Sequence, residues 1–172
     1  MSDKTEVLTH HFSDAGEIPN NPRLPLVVYR RTVKLEERNA AEGFERLFSK
    51  GGWYAAWRYG VYPFPHYHST AHEVLGVYRG TAKIRLGHKT GIELDVLPGD
   101  VIVIPAGVGH QNLRSSADFH VVGGYPNGQE ADLLQGRAGE RPAADKRIAA
   151  VPLPTGDPIF GPDGPLRTYW RF

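Results

Sequence analysis

Between Gly60 and Gly80 the chain reads GVYPFPHYHSTAHEVLGVYRG, which places two imidazoles, His66 and His68, and a carboxylate, Glu73, within eight positions. Farther on, residues 99–110 read GDVIVIPAGVGH and add a third imidazole, His110, behind a β-branched run and a Pro-x-Gly turn. Three neutral imidazoles with one carboxylate suit a divalent transition ion such as Zn, Ni, Mn or Fe. The chain holds no cysteine, so disulfides, Cys-zinc sites and thiol nucleophiles are excluded. No serine sits in a nucleophile-elbow context, which removes a Ser–His–Asp triad. His10, His11 and His88 lie in polar or turn surroundings and are given no role.

These residues can act together only if the chain positions them. Side chains alternate faces along a strand, so His66 and His68 project to one side and Tyr67 to the other. Glu73 shares a face with Leu75 and Val77, which sends His72 the opposite way and off the ligand set. His110 can join only if the sheet closes on itself. The pattern predicts strands at 26–33, 53–60, 72–79, 81–87, 92–97, 100–105, 109–113 and 118–125. They are punctuated by Gly80, the 87–91 stretch, Pro98-Gly99 and 105–109. Short strands with tight connections favour an antiparallel barrel or sandwich. One amphipathic helix is expected over 39–50, from the i, i+3, i+4 spacing of Phe44, Leu47 and Phe48. Asn39 and Glu42 could cap it, and Gly51-Gly52 ends it.

The 172 residues are read as a single domain of 1–172, with a motif core at 53–125 and a polar N-terminal extension at 1–25. The segment 126–172 carries seven of the 14 prolines. Leu133, Ile148, Phe160 and Trp170 are among its apolar anchors, and we expect it to wrap the barrel irregularly rather than hang free. The GGYPNG stretch at 123–128 reads as a turn. The net charge is +1 with scattered basic residues, so nucleic acid is not an expected partner. No signal-peptide pattern opens the chain and no apolar run nears ~18 residues, so no membrane partner is expected and the location is read as cytoplasmic.

The framework resembles the two motifs of the cupin superfamily. Gly60, His66, His68, Glu73 and Gly80 match the fixed positions of the first motif, and Gly99, Pro105, Gly107 and His110 match the second. The closing asparagine of the second motif is replaced by Arg114, with Asn112 nearby. The stretches GEIPNNPRLPLVVYR, HYHSTAHEVLGVYRG and SSADFHVVGGYPNGQ also look like the YjlB-type monocupins of bacteria. The resemblance implies an all-β fold, a double-stranded β-helix (RmlC-like jelly-roll barrel), with one metal ion inside held by His66, His68, Glu73 and His110. It also implies a homodimer.

Such a centre leaves positions open for water, oxygen or substrate. Glu73 could be a ligand or, swung off the metal, a catalytic base. Trp53, Ala55, Trp57 and Tyr59 share one strand face, while Tyr54, Ala56 and Arg58 share the other, and either set could face inward. Trp57, Tyr59, Arg58 and His120 are the candidate substrate-pocket residues; Arg58 would suit a carboxylate, and His120 shares a face with Val122. The expected function is binding or transformation of a small organic molecule inside the barrel. An enzyme of this kind would be a dioxygenase-type oxidoreductase or an isomerase. The alternative is a non-catalytic binding or structural cupin whose metal only stabilises the barrel.

Overall fold

A computed structural model describes residues 5–172. Nine strands run in chain order as β1 (Glu6–His10), β2 (Leu26–Arg30), β3 (Trp53–Tyr59), β4 (Glu73–Arg79), β5 (Ala82–Leu86), β6 (Ile92–Val96), β7 (Val101–Ile104), β8 (His110–Ser115) and β9 (His120–Pro126). Three α-helices accompany them among the described residues: α1 (Ala40–Lys50), α2 (Ala143–Ala150) and α3 (Leu166–Trp170). A six-stranded sheet has the order β1-β2-β7-β4-β9-β3 and a three-stranded sheet the order β6-β5-β8. Every pairing between named strands is antiparallel. This is the all-β jelly-roll architecture that the cupin resemblance implies, and an antiparallel arrangement of the kind that the glycine punctuation and short β-branched runs favour.

The burial pattern explains why LVVY in β2 and VIVI in β7 do not alternate. Both faces of the large sheet are covered, so neither needs polar residues. Leu26, Val28, Leu75, Val77, Ile102 and Ile104 point inward and meet Ile84 and Leu86 of the small sheet. On the outer face Val27, Tyr29, Val74 and Val103 pack beneath Phe44 and Phe48 of α1 and beneath Trp53 and Trp170. Each phenylalanine of α1 is fully buried, and such a side chain contributes about 1.5–3 kcal/mol. The helix ends as expected, Gly52 adopting φ +81° and its N–H reaching the Ser49 carbonyl at 3.1 Å. Its start differs: Asn39 precedes the helix but makes no side-chain cap, because its backbone sits at φ −132°, ψ 31°.

Three other local expectations are corrected. Glu6–His10 forms a strand on the edge of the large sheet, although its polar composition hides the pairing with β2. Gly123 and Gly124 lie inside β9 between β3 and β4, so the turn begins only at Asn127 and Gly128. Finally, β3 carries a bulge: Ala55 pairs with Gly124 and Trp57 with the adjacent Gly123, leaving Ala56 unmatched. An extra residue reverses the facing of everything beyond it. Trp53 and Ala55 therefore belong to the outer cluster and Trp57 to the inner one, so they do not share a face.

The segment after β9 wraps the barrel, as its apolar anchors imply. Leu134 pairs with Tyr67 in an isolated bridge, and Ile148 packs with Ile18, Tyr67 and Ala106. Trp170 is buried and its indole N–H donates to the Pro25 carbonyl at 2.9 Å. Asp157 accepts the N–H groups of Ile159, Phe160 and Leu166 together with the Tyr29 hydroxyl.

Candidate metal centre

His66 and His110 are locked together before their side chains are considered. Each backbone N–H donates to the other's carbonyl, at 3.1 and 2.9 Å, in an isolated antiparallel bridge. Two positions on, the His68 carbonyl accepts the N–H of Gly107 at 2.8 Å, tying the first glycine-framed segment to the second. Gly107 sits at φ +90°, and a β-carbon there would stand 2.5 Å from the Asn20 carbonyl oxygen, so only glycine closes that turn. Glu73 opens β4, opposite Ile104, and points inward with Leu75. The rolled sheet thus gathers the residues that the spacing singles out.

The imidazoles of His66, His68 and His110 each offer a nitrogen within 4.8 Å of the other two, and all three side chains are buried. Their outward nitrogens are committed. Nδ1 of His66 faces the Phe64 carbonyl at 3.0 Å, Nδ1 of His68 the Asp132 carbonyl at 2.5 Å, and Nδ1 of His110 the Val108 carbonyl at 3.0 Å. A carbonyl can only accept, so each Nδ1 carries the hydrogen and each neutral ring turns a lone pair inward from Nε2. Glu73 Oε2 lies 3.2 Å from Nε2 of His68 and 3.1 Å from Nε2 of His110, fully buried and with no properly aligned hydrogen-bond donor. Three nitrogen lone pairs and a carboxylate oxygen facing one another, with no hydrogen of their own to share, form a site that fits a cation.

The electrostatics agree. Burial pushes the His66 pKa down to about 3, and neighbouring His110 adds to the fall, so this ring is neutral at ordinary pH. Burial also opposes a charge on His68, but the Glu73 carboxylate and the Asp132 backbone outweigh it and raise its proton affinity. Burial disfavours the Glu73 carboxylate, yet His68 and His110 hold its pKa well below the usual range. The pocket stabilises positive charge beside Glu73.

The centre forms part of the wall of a cavity of about 320 Å³ lined by Trp57, Tyr59, Val61, Tyr62, Leu75 and Tyr125, with Ala131, Asp132 and Leu133 from the wrapping segment. Tyr62 stands edge-on to His66, ring centroids 5.3 Å apart, and Trp57 donates its indole N–H to the Tyr125 hydroxyl at 2.9 Å. Burial and the Glu73 charge push the Tyr125 pKa up to about 12.

Of the pocket residues expected from sequence, Trp57 and Tyr59 line the cavity, while Arg58 and His120 lie outside it. Past the bulge, Arg58 faces α1, where it pairs with Glu45 at 2.6 Å and Glu42 at 3.3 Å. His120 shares a face with Val122 as expected, but Val122 is in the outer cluster; the ring sits 6.0 Å from Tyr78, with Nδ1 3.1 Å from the Asp118 carbonyl. The inward residues of β9 are Val121, Gly123 and Tyr125. Alternation from Val121 would have found Tyr125. Asp132 carries no comparable signal, because it lies in an aperiodic stretch. His72 is buried away from the centre against Trp170, with ring centroids 4.7 Å apart, and its Nδ1 accepts the Ala106 N–H at 2.9 Å.

A closed antiparallel jelly roll with a buried imidazole triad from two glycine-framed segments defines the cupin class. The chain belongs to the cupin family: the family model described as Cupin matches residues 58–139. The chain is 44% identical over 165 residues to the uncharacterized protein YjlB of Bacillus subtilis, covering 96% of this chain and 97% of that protein. Among solved structures it resembles vicilin from Solanum lycopersicum (17% identity, TM-score 0.37, 66% of this chain) and spans only 30% of that protein's length. It also resembles a cupin 2 domain-containing protein from Halorhodospira halophila (14% identity, TM-score 0.33, 87% of this chain and 79% of that one). Scores this low carry no weight for the chemistry. No helix among the described residues is long and apolar enough to cross a membrane.

Proposed function

We propose that this cupin holds one divalent transition ion, Zn, Ni, Mn or Fe, through His66, His68, His110 and Glu73, and that it binds or transforms a small organic molecule in the adjoining cavity. The observation that carries this reading is the convergence of three buried imidazole nitrogens and the Glu73 carboxylate oxygen, opening on a cavity large enough for a ligand. A bound ion supplies a Lewis-acidic centre that polarises an oxygen of the ligand or lowers the pKa of bound water. The chain's own residues do the rest. The backbone carbonyls of Phe64, Val108 and Asp132 fix the three rings in one tautomer, Glu73 supplies negative charge, and the Trp57, Tyr59 and Tyr62 rings line the cavity beside the centre. The homodimer and the cytoplasmic location expected from the sequence belong to the same proposal.

A second reading, in which the ion only stabilises the barrel, is favoured by one feature. The ligand set bridges the sheets, Glu73 coming from the large sheet and His110 from the small one. Elemental analysis of protein purified without an affinity tag, paired with melting before and after chelation, tests both. One equivalent of transition metal is expected. Absence of metal after purification and reconstitution overturns the proposal, and a melting temperature unchanged by chelation counts against the purely structural role.

A further inference from the structure

We propose that the cavity selects a planar, largely apolar monoanion that meets the ion through oxygen, and that Tyr125 is the side chain that orients it. This rests on the metal reading above and specifies the ligand class. Charge comes first. Three neutral imidazoles and one carboxylate around a divalent ion leave one positive charge. Among the described residues lining the cavity there is no lysine or arginine, since Arg58 is turned outward onto Glu42 and Glu45. The remaining ionic group in the wall, Asp132, is already compensated: its carboxylate accepts the Ser69 N–H at 2.6 Å and the Ser69 hydroxyl, and the Arg147 guanidinium stands 3.8 Å from it behind the wall. The ion's one net positive charge is met by the first negative charge on the ligand, so a second would be stripped of water beside Glu73 with no lining cation left to meet it, which is strongly unfavourable.

Shape comes next. Trp57, Tyr59, Tyr62 and Tyr125 supply ring faces and edges, and Val61 and Leu75 supply aliphatic wall. The space of about 320 Å³ is roughly twice the ~150 Å³ that accepts a benzene, so a substituted ring fits. Orientation is left to Tyr125. Its hydroxyl already accepts the Trp57 indole N–H, so its own hydrogen is the one left to offer, and the ring lies 6.3 Å from that of His68. A hydroxyl held in that way selects a ligand oxygen next to the metal. Tyr125 is here a specificity-determining residue and not a ligand of the ion.

Calorimetric titration of the zinc-loaded full chain with tropolone, a planar monoanionic O,O-chelator, and with malonate, an aliphatic dianionic one, tests this. Each affinity is divided by that chelator's affinity for aqueous zinc. We expect the protein to favour tropolone over malonate by at least about tenfold on this scale. Tyr125→Phe should retain its zinc and weaken tropolone about tenfold, with malonate changed less than twofold. Equal normalised affinities for the two chelators overturn the charge and shape argument. Tropolone binding unchanged in zinc-replete Tyr125→Phe overturns the role of Tyr125. Failure of the wild-type chain to retain zinc or another transition ion is a separate result: it sinks the metal reading itself, before any chelator is added.

Discussion

Glu73 Oε2 stands 3.1 Å from His110 Nε2, a contact between the first residue of β4 in the large sheet and the first residue of β8 in the small one. With the hydrogen of His110 on Nδ1 toward the Val108 carbonyl, its Nε2 lone pair and the Glu73 oxygen converge on the place a cation would occupy. Replacing His66 or His110 by Ala removes an inward lone pair, and the metal content after dialysis should fall from near one equivalent to near zero. His72→Ala alters a buried ring on the opposite strand face, so it should lower stability while leaving the metal content unchanged. Elemental analysis of the three variants checks this; metal loss in His72→Ala would show that the facing of β4 has been misjudged.

Gly123 is where β9 lets the cavity exist. A β-carbon at that position would lie 2.1 Å from two ring carbons of Trp57, so the indole must move for any side chain to fit. Gly123→Ala should therefore cost about 1–3 kcal/mol in urea denaturation, the usual penalty for overpacking a filled interior. The displaced indole should also lose its bond to Tyr125, changing the tryptophan emission. Stability and emission both like those of the wild type would contradict the contact.

How far the site was legible follows from these same strands. The convergence of His66, His68, His110 and Glu73 could be anticipated from the sequence because the spacing obeys strict alternation: His66 and His68 share a face, and Glu73 points inward with Leu75 and Val77. The pocket could be read only in part. One unmatched residue, Ala56, inverts the facing of Trp57 and Arg58 relative to Trp53, and a bulge leaves no mark in composition. In β9 both faces are buried, so Val121 and Val122 look alike in sequence although one is inner and one outer. Asp132, whose carbonyl orients His68, is reached only by the tertiary path of the wrapping segment.

That wrapping segment should carry measurable stability. Trp170 is buried against His72 and Trp53, and its indole N–H is the partner of the Pro25 carbonyl. Trp170→Ala opens a cavity of indole size and leaves that buried carbonyl unsatisfied. Loss of a buried aromatic costs about 3–5 kcal/mol, so the denaturation midpoint should drop sharply. Because the ring lies on the outer face of the large sheet, the metal content should survive under native conditions. A loss below about 1 kcal/mol would mean that the C-terminal helix is not docked as described.

Acid should loosen the same segment before it unfolds the barrel. Arg141 pairs with Asp14 at 2.6 Å and with Asp145 at 2.5 Å, and these bonds hold both carboxyls below their usual range. Burial opposes the charge on Glu140, but the N–H groups of Gln135 and Gly136 and the Tyr67 hydroxyl outweigh it and lower that pKa too. A carboxyl whose pKa is depressed in the folded chain binds fewer protons folded than unfolded. Its stabilisation is therefore complete above the ordinary carboxyl pKa of about 4 and fades as pH falls through the lower folded value. These groups are largely solvent-exposed, so each contributes little alone and salt weakens the Arg141 pairs further. Hydrogen exchange should show residues 132–148 losing protection relative to β4 and β7 as pH drops below about 4. Glu140→Gln should flatten that dependence at the Gln135 and Gly136 amides, and a profile identical to the wild type would remove Glu140 from the latch.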